Sequence, residues 1–295
     1  MIKRWDHLKE GGTLRGKIAA VALLILFLAA SCFPGDSTVS HLSGRETPSL
    51  GFKKEVPADF IPRVYKVVAI GDSLTKGVGS STKKDGYISF LRDLLEKEKG
   101  IKEAVISNFA VSGNRTFQLL SQLKEEEIQQ AIRDADMVLM TIGGNDLMHV
   151  VRENFSGLML EHFAREKEEY EKNFSALIRA IRKINDKAAI CMIGLYNPYH
   201  EYFSHIEEID IIISEWNEAS KRILEQHPNT FFVDISQTFE KHGDELLHEK
   251  DYFHPNDKGY KIIAEHVYSV LKERPLDGGR GHFASDGEEQ AENEK

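Results

Sequence analysis

The feature that most constrains the fold is a regular alternation of short apolar runs with amphipathic segments between residues 63 and 275. Glycine or polar residues bound five apolar runs that have the length of buried strands: 67–70, 104–110, 137–142, 188–194 and 231–234. Strands that alternate with helices form a parallel sheet covered on both faces. We therefore predict an α/β domain with three α/β/α layers, whose five-stranded parallel sheet has the flavodoxin-like order 2-1-3-4-5.

The segments between these runs repeat apolar residues at helical spacing, as Tyr87, Leu91 and Leu94 do. Between the second and third strands, the pattern favours one helix from about Thr116 to Arg133. The last helix follows Asn256, a residue type that is preferred at helix N-caps.

The first 31 residues have the pattern of an export signal. Five basic residues precede Ile18–Ala30, an apolar run of thirteen residues. Such a run is short for a membrane span, which needs about 20 residues, but typical of a secretory signal. The small residues before Cys32 resemble the bacterial lipoprotein signal, which implies that Cys32 becomes a lipidated N-terminus. Simple secretion and an uncleaved anchor are the alternatives.

Composition sets the remaining boundaries. We expect a signal peptide over 1–31, a lipidation site and flexible linker over 32–62, and a globular domain over 63–275. Residues 276–295 contain six acidic and two basic residues and almost nothing apolar, which predicts an acidic, disordered tail.

Charge and cysteine content exclude some classes of protein. The formal net charge is −9 and no basic patch is visible, so we expect no nucleic-acid partner. The two cysteines are Cys32 and Cys191, and Cys191 lies in a strand-like run, where a buried and inert thiol is expected. The sequence offers no disulfide framework, no metal site and no cofactor motif.

A serine follows the first apolar run directly, in the sequence Gly71-Asp72-Ser73-Leu74. Beyond the carboxyl end of a buried parallel strand, such a serine faces the crevice where open α/β sheets bind their ligands. The same residue types are common in turns, so these residues alone leave an ordinary turn as an alternative.

The predicted strand order makes strands 2, 1 and 3 neighbours, so the loops after them should meet at one edge of the sheet. These loops contain Gly113, Ser73 and Asn145. Backbone N–H groups and a carboxamide that converge there are donors suited to a developing oxyanion in acyl transfer.

A serine nucleophile also needs a base, because its hydroxyl is a weak nucleophile at neutral pH. His254 precedes the last helix, and Asp251, three residues earlier, can reach its ring and fix the tautomer. Asp234, at the end of the fifth strand, is an alternative partner for the ring. Asp72 and Asp146 are expected to bond backbone N–H groups instead of taking part in chemistry.

Four stretches resemble the four sequence blocks of the SGNH (GDSL) serine hydrolases, in the family's order, over about Val64–Leu271. They are Gly71–Leu74 and the stretches that contain Gly113, Asn145, and Asp251 with His254. The resemblance implies an esterase or lipase with a Ser73, His254 and Asp251 triad and an oxyanion hole from Ser73 N–H, Gly113 N–H and the Asn145 side chain. The leader and the run from Gly71 to Gly79 further resemble the exported Gram-positive branch. An inactive module that binds a cell-envelope glycan or lipid is the alternative function.

Apolar residues follow both the Asn145 block and the fourth strand: Leu147–Val151, Phe155, Leu158–Leu160, Leu195–Tyr199, Tyr202 and Phe203. Both segments leave the carboxyl edge of the sheet. We expect them to form an apolar wall near Ser73 that favours short and medium acyl groups over acetyl, with plain packing under long loops as the alternative.

Overall fold

The computed structural model describes residues 62–81, 85–200 and 206–273 of the chain. These ranges contain one sheet of five strands: β1 (Arg63–Gly71), β2 (Ile101–Asn108), β3 (Met137–Thr141), β4 (Ala189–Ile193) and β5 (Thr230–Val233). All neighbouring strands are parallel, in the order β2-β1-β3-β4-β5. The predicted sheet and its strand order are confirmed, and the predicted and observed strands differ by a few residues at their ends.

Nine helices connect the strands in this part of the chain: α1 (Ser73–Lys76), α2 (Tyr87–Leu95), α3 (Thr116–Gln122), α4 (Glu126–Arg133), α5 (Gly144–Glu153), α6 (Leu160–Ile184), α7 (Glu207–Leu224), α8 (Ser236–Leu246) and α9 (Asp257–Glu273). A turn of 3₁₀ helix, Phe155–Gly157, lies between α5 and α6. Of the helices described, none combines the length and the apolar character that a membrane span requires.

The sheet separates two apolar cores. In β1, Val67 and Ala69 belong to one core, whereas Val68 and Ile70 belong to the other, because successive side chains of a strand point to opposite faces. Helices α2, α8 and α9 cover the first core, and α3, α4, α6 and α7 cover the second. Burial on both faces explains why the central strands are almost continuously apolar.

The segment from Thr116 to Arg133 is two helices, α3 and α4, and the prediction of a single helix is wrong. Leu123 and Ile128 are both buried in the second core. An uninterrupted helix turns by about 100° per residue and would place these two side chains roughly 140° apart. The turn between α3 and α4 brings both onto the same face, which a single helix could not do.

Helix α8 lies where the sequence pattern suggested no element. Just before the helix, the Asp234 carboxylate accepts a hydrogen bond from the Ser236 N–H at 3.0 Å. Phe239 and Leu246, two helical turns apart, are fully buried. The helix delivers the chain to the loop that contains Asp251 and His254.

Some predictions concern residues outside the described ranges. They include the signal peptide, Cys32, the tail over 276–295 and nearly all of the linker over 32–62. The prediction for Cys191 is confirmed, because this thiol is fully buried in β4 and burial raises its pKa to about 12. Cys191 is therefore a core residue whose thiol stays protonated at neutral pH.

Candidate active site

Ser73 lies in a sharp turn between β1 and α1, at the carboxyl edge of the sheet. Gly71 ends β1 with a φ of +131°, and a Cβ at this position would lie 2.0 Å from the Thr141 carbonyl oxygen. Asp72 then caps α1, because its carboxylate accepts a hydrogen bond from the Leu74 N–H at 3.1 Å. The requirement for glycine and the cap together fix Ser73 as the first residue of α1.

His254 lies on the loop between α8 and α9, and its Nε2 is 2.9 Å from Ser73 Oγ. Leu247 and Pro255 form an antiparallel bridge across the base of this loop. Asn256 accepts a hydrogen bond from the Gly259 N–H at 3.0 Å, which confirms its predicted role as the N-cap of α9. Both contacts restrict the loop and hold the His254 ring beside Ser73.

Asp251 is the carboxylate that contacts the His254 ring, with 2.8 Å between Oδ2 and Nδ1. Its other oxygen accepts hydrogen bonds from the N–H groups of Phe253, at 3.0 Å, and His254, at 3.1 Å. Partial burial would raise the pKa of Asp251, but the hydrogen bond from the His254 ring and those from the two backbone N–H groups outweigh it and lower the pKa to about 2. Asp251 is therefore ionised at neutral pH.

Asp234, the alternative partner for His254, makes other contacts. Its carboxylate accepts hydrogen bonds from the Ser236 N–H at 3.0 Å and from the Ser236 hydroxyl at 2.6 Å. Lys221 Nζ lies 3.5 Å from the second oxygen. Asp234 is thus engaged with Ser236 and Lys221 at the start of α8, and the structure brings Asp251, the favoured candidate, to the His254 ring.

The loops after β1, β2 and β3 lie side by side because these strands are neighbours in the sheet. The Asn114 side chain donates to the Gly71 carbonyl at 3.3 Å. The Asn145 side chain in turn donates to the Asn114 carbonyl at 3.0 Å. These contacts bring the segments that contain Ser73, Gly113 and Asn145 together at one edge, as the strand order predicted.

Two backbone donors are available in these loops. Gly113 has a φ of +85°, and a Cβ built there meets no heavy atom within 4 Å, so this part of the loop is open. Within the described ranges, neither the Gly113 N–H nor the Ser73 N–H has a protein acceptor. Both groups can therefore donate to a bound molecule.

Asp146 is buried and joins the loop after β3 to the start of α3. Its carboxylate accepts hydrogen bonds from the Thr116 N–H at 3.0 Å and from the Thr116 hydroxyl at 2.8 Å, and Arg115 Nε lies 3.6 Å away. Burial raises the pKa of Asp146, although these contacts oppose the change. The predicted structural role of Asp146 is confirmed, and its contacts restrain the adjacent Asn145.

Buried hydroxyl groups form a hydrogen-bonded chain behind Ser73. Thr141 donates to Asp72 Oδ1 at 2.6 Å and so must accept from the Thr75 hydroxyl, at 2.8 Å. For the same reason, Thr75 accepts from the Tyr87 hydroxyl at 2.7 Å. Burial raises the pKa of Asp72 to about 6, against the lowering effect of its hydrogen bonds from Thr141 and the Leu74 N–H. On the side that faces the core, these hydrogen bonds hold the turn that contains Ser73 in place.

A cavity of about 130 Å³, which we call the apolar cavity, opens beside these groups. Its lining includes direct chain neighbours of three predicted site residues, namely Leu74 next to Ser73, Gly144 next to Asn145, and Phe253 next to His254. The rest of the wall is mainly apolar. A molecule that reacts at Ser73 therefore has an apolar space next to it.

The two segments expected to form an apolar wall both contribute to the apolar cavity. They supply Leu147, Met148, Val151, Leu158 and Leu195–Tyr199. The Tyr196 hydroxyl donates to the Phe253 carbonyl at 2.5 Å and thereby ties the second segment to the loop of His254. Tyr202 and Phe203 lie outside the described ranges. Helix α7 adds isoleucines that the sequence pattern did not assign to the wall.

The sequence model of the GDSL-like Lipase/Acylhydrolase family matches residues 69–262. The chain belongs to the GDSL-like lipase/acylhydrolase family. The matched range contains Ser73, Gly113, Asn145, Asp251 and His254, and the family resemblance found from the four motifs is confirmed. Membership identifies the chain as a hydrolase of ester bonds.

Two relatives from Bacillus are similar over most of this GDSL hydrolase. Uncharacterized protein YpmR of Bacillus subtilis (strain 168) is 39% identical over 211 residues, which are 71% of this chain and 82% of the relative. Spore germination lipase LipC of Bacillus licheniformis is 30% identical over 210 residues, which are 67% of this chain and 92% of the relative. The similarity thus extends well beyond the short motifs.

Solved structures support the fold of this GDSL hydrolase. The lipase Lip_vut3 from a goat rumen metagenome matches with a TM-score of 0.64 and 28% identity, over 70% of this chain and 97% of that one. Axe2, an acetylxylan esterase from Geobacillus stearothermophilus, matches with a TM-score of 0.54 and 20% identity, over 70% of this chain and 93% of that one. The second likeness concerns the fold alone.

Sequence reasoning missed the residues that support the turn of Ser73 in this GDSL hydrolase: Thr75, Thr141 and Tyr87. One signal could have found Thr141. It ends the otherwise apolar run that forms β3, and a hydroxyl at a buried strand end needs a hydrogen-bond partner. The partners themselves come from segments distant in the chain and carry no local motif.

Proposed function

We propose that this GDSL hydrolase cleaves carboxylic esters by transferring the acyl group to Ser73, with His254 as the base and Asp251 as the residue that orients it. The observation that supports this most strongly is the position of His254, 2.9 Å from the serine hydroxyl and 2.8 Å from the carboxylate. When the Asp251 carboxylate accepts a hydrogen bond from Nδ1–H, the lone pair of Nε2 points to the hydroxyl. The name of the relative LipC, a spore germination lipase, favours lipid-type esters as substrates.

The proposed reaction has two acyl-transfer steps. Ser73 Oγ attacks the ester carbonyl carbon while His254 Nε2 takes its proton, and the tetrahedral intermediate then expels the alcohol, which receives that proton. A water molecule, deprotonated by His254, attacks the acyl-enzyme and releases the carboxylic acid and free Ser73. Asp251, with its pKa near 2, remains negative throughout and stabilises the imidazolium.

The oxyanion of each tetrahedral intermediate is proposed to bind the Ser73 N–H, the Gly113 N–H and the Asn145 side chain. The mutual contacts of the three loops support this assignment, as does the lack of a protein acceptor for either backbone N–H in the described ranges. Donors held in place before the reaction stabilise developing charge without reorganising.

Covalent labelling during turnover tests this mechanism. The purified protein should release p-nitrophenol from p-nitrophenyl butyrate. Diisopropyl fluorophosphate should abolish that release, in proportion to the label that mass spectrometry finds on the peptide containing Ser73. If no p-nitrophenyl ester from acetate to decanoate is turned over and Ser73 takes up no label, the proposed mechanism fails and an inactive binding module becomes the better explanation.

We also propose that the enzyme acts at the outer face of the cell membrane, where a lipidated Cys32 holds it. The basic leader, the apolar run and the small residues before Cys32 support this proposal. Two acyl chains on one residue anchor a protein stably, whereas a single chain is marginal. The substrate would then be an ester of the cell envelope.

Metabolic labelling of cells with a fatty-acid probe tests this location. Wild-type protein should take up the probe and remain with the membrane fraction, and the Cys32→Ala variant should take up none. Unlabelled protein in the medium for both variants would instead indicate simple secretion. Unlabelled membrane-bound protein that retains its first 31 residues would indicate an uncleaved anchor.

A further inference from the structure

A smaller apolar groove, which we call the outer groove, lies on the far side of one wall of the apolar cavity. It has a volume of about 30 Å³ and lies between the start of α6 and the first half of α7, where Leu160, Ala164, Ile211, Glu215 and Trp216 line it. Phe163, Glu208 and Ile212 line both the apolar cavity and the outer groove. These three side chains therefore form the partition between the two spaces.

We propose that the apolar cavity binds an unbranched acyl chain and that Phe163 and Ile212 set the maximum length of that chain by closing the way into the outer groove. This inference rests on the proposed function, because it assumes that the acyl group extends from Ser73 into the cavity. A water-sized group needs about 10–15 Å³ of such space, so the cavity of about 130 Å³ has room for a chain of roughly nine to thirteen carbons.

The position of the partition supports its role. The apolar cavity is lined on one side by neighbours of the catalytic groups, Leu74, Gly144 and Phe253, whereas Phe163 comes from α6 and Ile212 from α7, and both of these also line the outer groove. Phe163 is buried in a small cluster with Val150 and Leu158, and Ile212 packs against that cluster while itself only partly buried. Truncation of Ile212 therefore opens the partition and leaves most of the cluster in place.

The charge at the partition further defines the acyl group. Glu208 contributes a carboxylate to a wall that is otherwise formed by the apolar side chains of Phe163 and Ile212. A negatively charged chain end would be repelled there and would also lose its hydration. The chain that fits is therefore neutral at its far end, as in a simple fatty acyl group.

The rate as a function of acyl length tests this proposal. For p-nitrophenyl esters from acetate to palmitate, wild-type kcat/KM should rise by up to about fourfold per added methylene until the cavity is full, and then fall. In Ile212→Ala the maximum should move to chains longer by about two carbons or more, because the chain can enter the outer groove. If Ile212→Ala does not fold, Phe163→Leu serves as the second variant, with the same expected direction.

Ile211→Ala is the matched control. It removes the same side chain from the adjacent position of α7, but Ile211 lines only the outer groove and not the apolar cavity. The acyl length with the highest kcat/KM should therefore remain that of the wild type. A wild-type profile that falls steadily from acetate overturns the proposal. So does an unchanged maximum in folded Ile212→Ala or Phe163→Leu.

A binding measurement separates this proposal from the proposed mechanism. Calorimetric titration of Ser73→Ala protein with fatty acids from hexanoate to hexadecanoate should give affinities that rise with length up to the limit of the cavity. Adding Ile212→Ala should shift that limit to longer acids. If the shift occurs but the protein with Ser73 intact has no esterase activity, the acyl site stands and the mechanism fails. If the protein with Ser73 intact turns over esters normally and no shift occurs, the mechanism stands and the proposed limit on acyl length fails.

Discussion

Ser73→Ala is expected to abolish ester hydrolysis, with a loss in kcat on the order of 10⁴–10⁶. The hydroxyl is the proposed nucleophile, and its Oγ lies 2.9 Å from His254 Nε2. Ser73 is buried, but its truncation to alanine removes a single oxygen atom and therefore little packing. Steady-state rates with p-nitrophenyl butyrate measure the loss, and thermal unfolding of both proteins shows whether the fold is kept. Near-normal turnover by the folded variant would contradict the mechanism.

His254→Ala should cause a loss of the same order, and the double variant with Ser73→Ala should lose little more. Groups that act as one unit in a reaction have strongly non-additive effects. Full additivity of the two losses would contradict a shared role.

The partner of His254 is tested by a matched pair of variants. Asp251→Asn should lower kcat by about 10³–10⁴, because an amide can donate to the ring and favour the wrong tautomer. Asp234→Asn changes a carboxylate that contacts Ser236 and Lys221 instead, and it should retain wild-type kcat. Equal losses in the two variants would assign no special role to Asp251.

Asn145→Ala is expected to decrease kcat by about 10²–10³ with little change in KM. The proposed hydrogen bond from its side chain forms with the oxyanion and only weakly with the ground-state carbonyl. Its loss therefore raises the barrier and leaves substrate binding nearly unchanged. The measurement is a full substrate-saturation curve with p-nitrophenyl butyrate.

Asn145 also donates to the Asn114 carbonyl at 3.0 Å, so a control must remove a comparable contact outside the site. Asn154 is suitable, because its side chain donates to the Val150 carbonyl at 2.9 Å at the opposite end of α5. Asn154→Ala should keep wild-type kcat. A rise in KM at constant kcat in Asn145→Ala would mean that Asn145 binds substrate and does not stabilise the oxyanion.

Much of the fold and the residues of the proposed site could be predicted from sequence because the signals are local. Each strand is a short apolar run, and the alternation with helices leaves few topologies for a parallel sheet. Ser73, Gly113 and Asn145 follow three strands that this topology makes neighbours, and Asp251 and His254 are close in the chain. Proximity at one sheet edge therefore follows from strand order alone.

Contacts between distant segments were decided by the tertiary structure. The chain from Tyr87 through Thr75 and Thr141 to Asp72 joins groups up to 69 residues apart, and no spacing rule links them. The break after α3 exists because Leu123 and Ile128 share one core, a condition that helical periodicity alone does not contain.

The choice of carboxylate and the shape of the substrate space also required the tertiary structure. Asp234 follows β5 and Asp251 lies on the loop of His254, and only the structure shows that Asp251 contacts the ring whereas Asp234 contacts Ser236 and Lys221. The sequence by itself determined that apolar segments would follow two strands. Whether they enclose a cavity depends on how α6 and α7 pack, since a partition such as Phe163 and Ile212 arises only where two helices meet.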